Sequence, residues 1–155
     1  MTKLFVFALM AFFSQSNNHL QKYSLETYPV HLETNFAKDA DIRLSTFKII
    51  PKDISGCVLY LYQSKNDEKK EVYLMVENFA QYGYISINGR MQHFNLTSYK
   101  DMSYYIYSTG VYILKIEIKK KTDIGNEDFR VIGVLTLLKG KTILDRKNFI
   151  GEYTC

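Results

Sequence analysis

Hydrophobic and polar residues alternate with a period of two along much of the chain. In residues 111–120, VYILKIEIKK, one face carries Tyr112, Leu114, Ile116 and Ile118. The other carries Val111, Ile113, Lys115 and Glu117 and becomes polar along its length. Alternation with one wet face predicts an antiparallel strand. Residues 82–96, YGYISINGRMQHFNL, read as two strands around Asn88-Gly89, a dipeptide that supplies the positive φ angles of a type I′ hairpin turn. CVLYLYQ and EVYLMVEN are two more short β-rich runs, joined by the polar connector SKNDEKK.

FRVIGVLTLL, residues 129–138, is apolar on both faces, which predicts a central strand. Gly133 inside it marks a bulge or a close approach of another backbone. The turn KGK at 139–141 leads into a last strand, TILDRKNFIGEYTC, and IRLSTFKII before Pro51 is a further candidate. The pattern predicts an all-β domain of about eight antiparallel strands, a β-sandwich or a β-barrel. Residues 17–40 define no element: a short helix or an early strand would fit, and Pro29 argues against a long helix.

The first residues differ from the rest. Lys3 precedes ten apolar residues, Leu4 to Phe13, and Ser14 and Ser16 follow in a small-x-small arrangement. This is the layout of a secretory signal peptide, residues 1–16, cleaved after Ser16. The apolar run is half of the roughly 20 residues that a membrane-spanning helix requires. The expected product is a single β-rich domain, residues 17–155, with no integral membrane span, exported to the periplasm or the extracellular space.

Charge narrows the partners. The chain carries 20 basic and 16 acidic side chains, interspersed, for a formal charge of +4. A nucleic-acid binder shows a basic stripe and a larger imbalance, so no nucleic-acid partner is expected. The run Lys119-Lys120-Lys121 is better read as a charged strand end that resists edge-to-edge pairing than as an anion site.

Export changes the chemistry of the two cysteines, Cys57 and the last residue, Cys155. In an oxidising compartment the expected state is a Cys57–Cys155 disulfide. Two free thiols are the alternative. Two cysteines without a nearby histidine are too few for a structural zinc site.

No catalytic signature occurs: there is no G-x-S-x-G, H-E-x-x-H, P-loop or dinucleotide motif. The acidic residues are scattered and nominate no carboxylate pair. His31 and Glu33 could share a strand face, but two ligands do not make a metal site, and His93 in the hairpin is expected to face solvent. No catalytic residue, metal or cofactor is therefore assigned. Asn95 begins the glycosylation acceptor pattern NLT. The segment SYKDMSYYIYSTGVY gathers Tyr99, Tyr104, Tyr105, Tyr107 and Tyr112. It offers a possible binding surface for a protein or glycan, set against ordinary cross-strand packing of tyrosine.

From about Ser55 to Cys155 the chain resembles small exported proteins of flavobacteria and related Bacteroidetes. The shared features are a cysteine opening a strand (SGCVLYL), a Lys-rich connector, a hairpin around ING, a Tyr-rich strand with a Lys-rich end, and a closing GEYTC. Those proteins end on Gly-Glu-Cys-Gly-Cys; Tyr153 stands here where a cysteine would be. The resemblance implies a one-disulfide β-rich protein and no particular activity. STGVY, with Ser108, Gly110 and Tyr112, is also similar to the Ser-Gly-x-x-Tyr loop of periplasmic β-barrel lysozyme inhibitors, with altered spacing and without their Trp-containing motif. The expected function is non-enzymatic binding or a structural role in the envelope. The alternatives are a lysozyme-inhibitor-like protein or a hydrolase whose site assembles only in three dimensions.

Overall fold

The computed structural model describes residues 41–78, 81–100 and 103–155. Residues 1–16, expected as a signal peptide, and residues 17–40, with His19 and His31, lie outside the described residues. The elements are β1 (Leu44–Ser45), β2 (Val58–Tyr62), α1 (Lys65–Lys69), β3 (Met75–Glu77), β4 (Tyr82–Ile87), β5 (Arg90–Lys100), β6 (Tyr104–Ser108), β7 (Ile113–Gly125), β8 (Asp128–Lys139) and β9 (Thr142–Thr154).

Of the two expected all-β architectures, the structure is the barrel. Each strand from β2 to β9 pairs antiparallel with the next, and β9 returns to β2 through Val58↔Thr154 to Tyr62↔Ile150. The result is a closed eight-stranded up-and-down barrel, with β1 added beside β4. Closure removes the free sheet edges that a sandwich would leave.

Period two decides which residues fill it. Leu114 and Ile116 of β7 are fully buried and Ile118 and Tyr112 pack on the same cluster, whereas Lys115 and Glu117 point outward. Leu59, Leu61, Ile85, Phe94, Leu135, Leu137 and Phe149 complete the interior, all at 0–1% exposure. Eight strands leave a lumen that side chains of this size fill. Most polar strand residues, Lys115 and Glu117 among them, lie outside, the reverse of what a lipid-facing barrel wall requires. Among the described residues no helix is long and apolar enough to cross a membrane.

The predicted hairpin forms as expected: β4 and β5 meet at Asn88 (φ 50°) and Gly89 (φ 77°). Gly133 allows a close approach, because a Cβ there would strike the Glu117 carbonyl and the Phe149 ring. A bulge lies opposite it, between Ile118 and Lys120. IRLSTFKII yields only the two residues of β1 and a bridge, Phe47↔Tyr73. Its apolar residues serve packing more than pairing: Ile42 and Leu44 enter the main core, while Phe47 and Ile50 cover the outside of β2 and β3.

The connector SKNDEKK contains a one-turn helix, α1. Ser64 caps it: its Oγ accepts from the Asp67 N–H at 3.2 Å and donates to the Asp67 carboxylate at 2.7 Å. Cys57 and Cys155 form the expected disulfide, which joins residues 98 apart in sequence beside the β2–β9 seam. The Cys155 N–H also donates to Asp128 at 3.3 Å.

Candidate functional site

The tyrosines proposed as one surface are divided by the barrel wall. Tyr105 and Tyr107 point inward and are 3% and 0% exposed. Tyr104 lies outside, opposite Glu117 and Lys100. Tyr112 packs on the core, and only Tyr99 is widely exposed, stacked on Tyr105 at 6.2 Å. The five therefore do not form one binding surface. In a strand, neighbouring residues face opposite ways, so a run of adjacent tyrosines cannot share a face.

A groove open to solvent lies instead on the outside of β7, β8 and β9, walled by α1. Its volume is about 240 Å³, and Ile132 and Ile150 are among the apolar residues that line it. These two are register neighbours on β8 and β9, and Lys120 lies beside Ile132 on β7. Lys65, Glu68, Thr122 and Arg130 complete the polar lining. Arg130 is held in place by Glu68 at 2.9 Å and Glu152 at 2.8 Å. Lys65 and Lys120 have no ion pair with another described residue, so the groove presents two cations over an apolar floor. The spacing signal for it was weak, because its walls come from four separate elements.

The lysine run divides its roles. Lys119 pairs with Glu117 at 3.6 Å, and Lys121 pairs with Asp123 at 3.3 Å and sits over the Phe129 ring at 4.2 Å. Only Lys120 reaches the groove. β6 stops pairing at Glu117, so these lysines lie where β7 outruns its neighbour among the described residues. They lie inside β7, which continues to Gly125 paired with β8, so the run is not the strand end expected; its charge falls on the side of β7 that β6 leaves unpaired.

Glu77, Tyr107 and Thr136 carry buried polar atoms without a partner among the described residues, and no sequence pattern marks them. Glu77 ends β3, faces the interior between Leu59 and Gly83, and is 0% exposed. Neither carboxylate oxygen has a hydrogen-bond partner among the described residues, and neither does the Tyr107 hydroxyl. Burial pushes the Glu77 carboxyl up to about 8. At neutral pH it is mostly protonated. Sealed from solvent, it holds a proton but has no access to a substrate.

His93 is exposed, as expected, and its ring lies 5.0 Å from Tyr82 and 5.1 Å from Tyr84 on the outer wall. The Tyr84 hydroxyl donates to the Asp53 carboxylate at 2.7 Å, and the Tyr82 hydroxyl to the Asp53 carbonyl at 2.8 Å. The bond to Asp53 is the main reason the Tyr84 hydroxyl is pushed up to about 12. These bonds fix residues 50–54 against the barrel and give the cluster a structural task. Among the described residues no group of three or more His, Cys, Asp or Glu is placed to hold a metal. No family model, curated protein or solved structure matches the chain.

Proposed function

We propose that this is an exported, non-enzymatic binding protein of the cell envelope or extracellular space that takes its partner on the outside of the barrel. The observation that carries this reading is the groove beside α1: Lys65 and Lys120 flank the apolar pair Ile132 and Ile150 in the one place where α1 stands over the wall. Cations around an apolar floor favour an acidic protein segment with an apolar residue to seat. The burial of the large side chains Phe94, Tyr107 and Phe149 inside the barrel supports an outside site. The Cys57–Cys155 disulfide supports export.

The test compares envelope and extracellular proteins retained by the wild type and by Lys120→Glu/Ile132→Asp. A defined partner retained by the wild type and lost by the variant is expected. The same partner on both, or a footprint by hydrogen exchange away from β7–β9, would refute the groove.

One observation favours a second reading, a lysozyme-inhibitor-like protein. Ser108 ends β6, Gly110 follows with φ 79°, and both Gly110 and Val111 are exposed in the turn before β7. A projecting turn of this kind could enter an enzyme cleft. Unchanged c-type lysozyme activity in the presence of excess protein would eliminate it.

A further inference from the structure

We propose that one end of the barrel, at its hairpin turns β4–β5, β6–β7 and β8–β9, docks on the surface of an anionic lipid bilayer. Because successive strands run antiparallel, the turns β4–β5, β6–β7 and β8–β9 all lie at the same end. Contacts join them into one rim. Asn88 Oδ1 accepts from the Arg43 N–H at 2.8 Å, and the Arg43 guanidinium donates to the Leu144 carbonyl at 3.2 Å. Ile113, Leu138 and Ile143 then follow as register neighbours across β7, β8 and β9.

This rim is unusually apolar for its exposure. Eight large apolar residues are exposed among the described residues, and four of them are here: Met91 at 41%, Val111 at 58%, Ile113 at 37% and Ile143 at 57%. Each turn therefore contributes at least one aliphatic side chain that the core does not use. Exposed apolar residues gathered in one place, unlike single ones, mark an interaction surface.

Charge identifies the occupant. Arg43, Arg90 and Lys141 are exposed around the same rim. The acids beside these turns are Asp41 and Asp145, and Asp145 is engaged by the backbone N–H groups of Leu44 at 2.8 Å and Arg146 at 2.7 Å; the β2–β3 connector, which opens to the same end, sets Asp67, Glu68 and Glu71 against Lys65, Lys69 and Lys70. The balance is positive. A protein partner would favour a concave seat or an aromatic anchor. Here the apolar residues sit on projecting turns, beside long cationic side chains. Aliphatic tips entering the boundary between headgroups and acyl chains, with Lys and Arg reaching lipid phosphates, is the arrangement an anionic bilayer surface accepts.

The experiment uses the exported protein as purified from culture and sedimentation with lipid vesicles. One set is phosphatidylcholine alone; the other contains about one third phosphatidylglycerol, and ionic strength is raised from about 0.01 M to 0.15 M. Binding to the anionic vesicles, weakened by salt, is expected. Val111→Asp/Ile143→Asp should reduce it by at least roughly tenfold, while Ile49→Asp, at a residue 79% exposed elsewhere on the chain, should leave it intact. Should the first variant fail to fold, Arg90→Glu/Lys141→Glu tests the same end and should also weaken binding. Absence of anionic-vesicle binding, equal binding to both vesicle types, or binding unaffected by the rim variants overturns the proposal. So does a wild-type dimer that the rim variants dissociate without any vesicle binding, which would assign the face to a second copy.

Discussion

Replacing Glu77 by Gln should remove most of the pH dependence of stability. In the unfolded chain this carboxyl titrates at its ordinary value near 4.5, and in the folded barrel burial raises it to about 8. The folded state therefore binds the proton more tightly than the unfolded state. The contribution of this linkage to stability is full below about pH 4.5 and declines as pH rises toward 8, where the folded group ionises in turn. Each unit of difference corresponds to about 1.4 kcal/mol. Between pH 5 and pH 8 the wild type should lose roughly 3 kcal/mol through Glu77 alone. That is a large share of the 5–15 kcal/mol that is usual for a domain.

Urea unfolding of the disulfide-intact protein at several pH values measures this directly. Other titrating groups are common to both proteins and cancel in the difference between wild type and variant. The variant should be less dependent on pH and the more stable of the two at pH 8. Equal slopes for the two proteins between pH 5 and 8 would refute the reasoning, since they would mean that Glu77 is solvated or paired in solution.

Three further outcomes are expected. Removing the disulfide by Cys57→Ser/Cys155→Ser should cost about 4–5 kcal/mol in the chain-entropy model for a loop of this length, read as a lower urea midpoint; intact mass after alkylation without reductant should show no modified thiol in the wild type. Gly133→Ala should destabilise by roughly 1–3 kcal/mol, because the added methyl meets the Glu117 carbonyl and the Phe149 ring, and a thermal melt will show it. Tyr107→Phe removes a buried hydroxyl without a partner among the described residues and should be neutral or stabilising by about 1 kcal/mol in the same melt, whereas a loss would reveal an unseen hydrogen bond.

The barrel wall was legible where the pattern is local. Alternation in residues 112–118 placed Leu114 and Ile116 inside, and Asn88-Gly89 fixed the β4–β5 register through its turn geometry. FRVIGVLTLL reads as apolar on both faces, but a closed barrel flanks every strand on both sides and has one packed face: Val131 and Leu135 point inward and are buried, whereas Ile132 on the outer face is 49% exposed. The choice between sandwich and barrel was not legible, because it depends on one long-range pairing, β9 with β2. α1 was hidden in a polar connector, yet its signal was present: Ser64 followed by Asp67 is a capping pattern. Glu77 looked like an ordinary acid at the end of a strand. Only closure of the wall around Leu59 and Gly83 makes it a buried one. The tyrosines are close in sequence, but the two-residue period of β6 sends Tyr105 and Tyr107 into the core and Tyr104 to the outside.

The Cys57–Cys155 bond also constrains the order in which the protein can be made. Neighbouring strands from β2 to β9 can zip up by local contacts as each hairpin emerges. The seam cannot. A chain delivered N-terminus first holds the Cys57 thiol unpaired until 98 further residues have followed and its partner exists. During that interval no incorrect intramolecular pairing is available, since the described chain offers no other cysteine. The hazard is a second nascent molecule: two half-built barrels can join through Cys57 before either can close. Oxidation that is too early, rather than too slow, is the condition under which covalent dimers should accumulate.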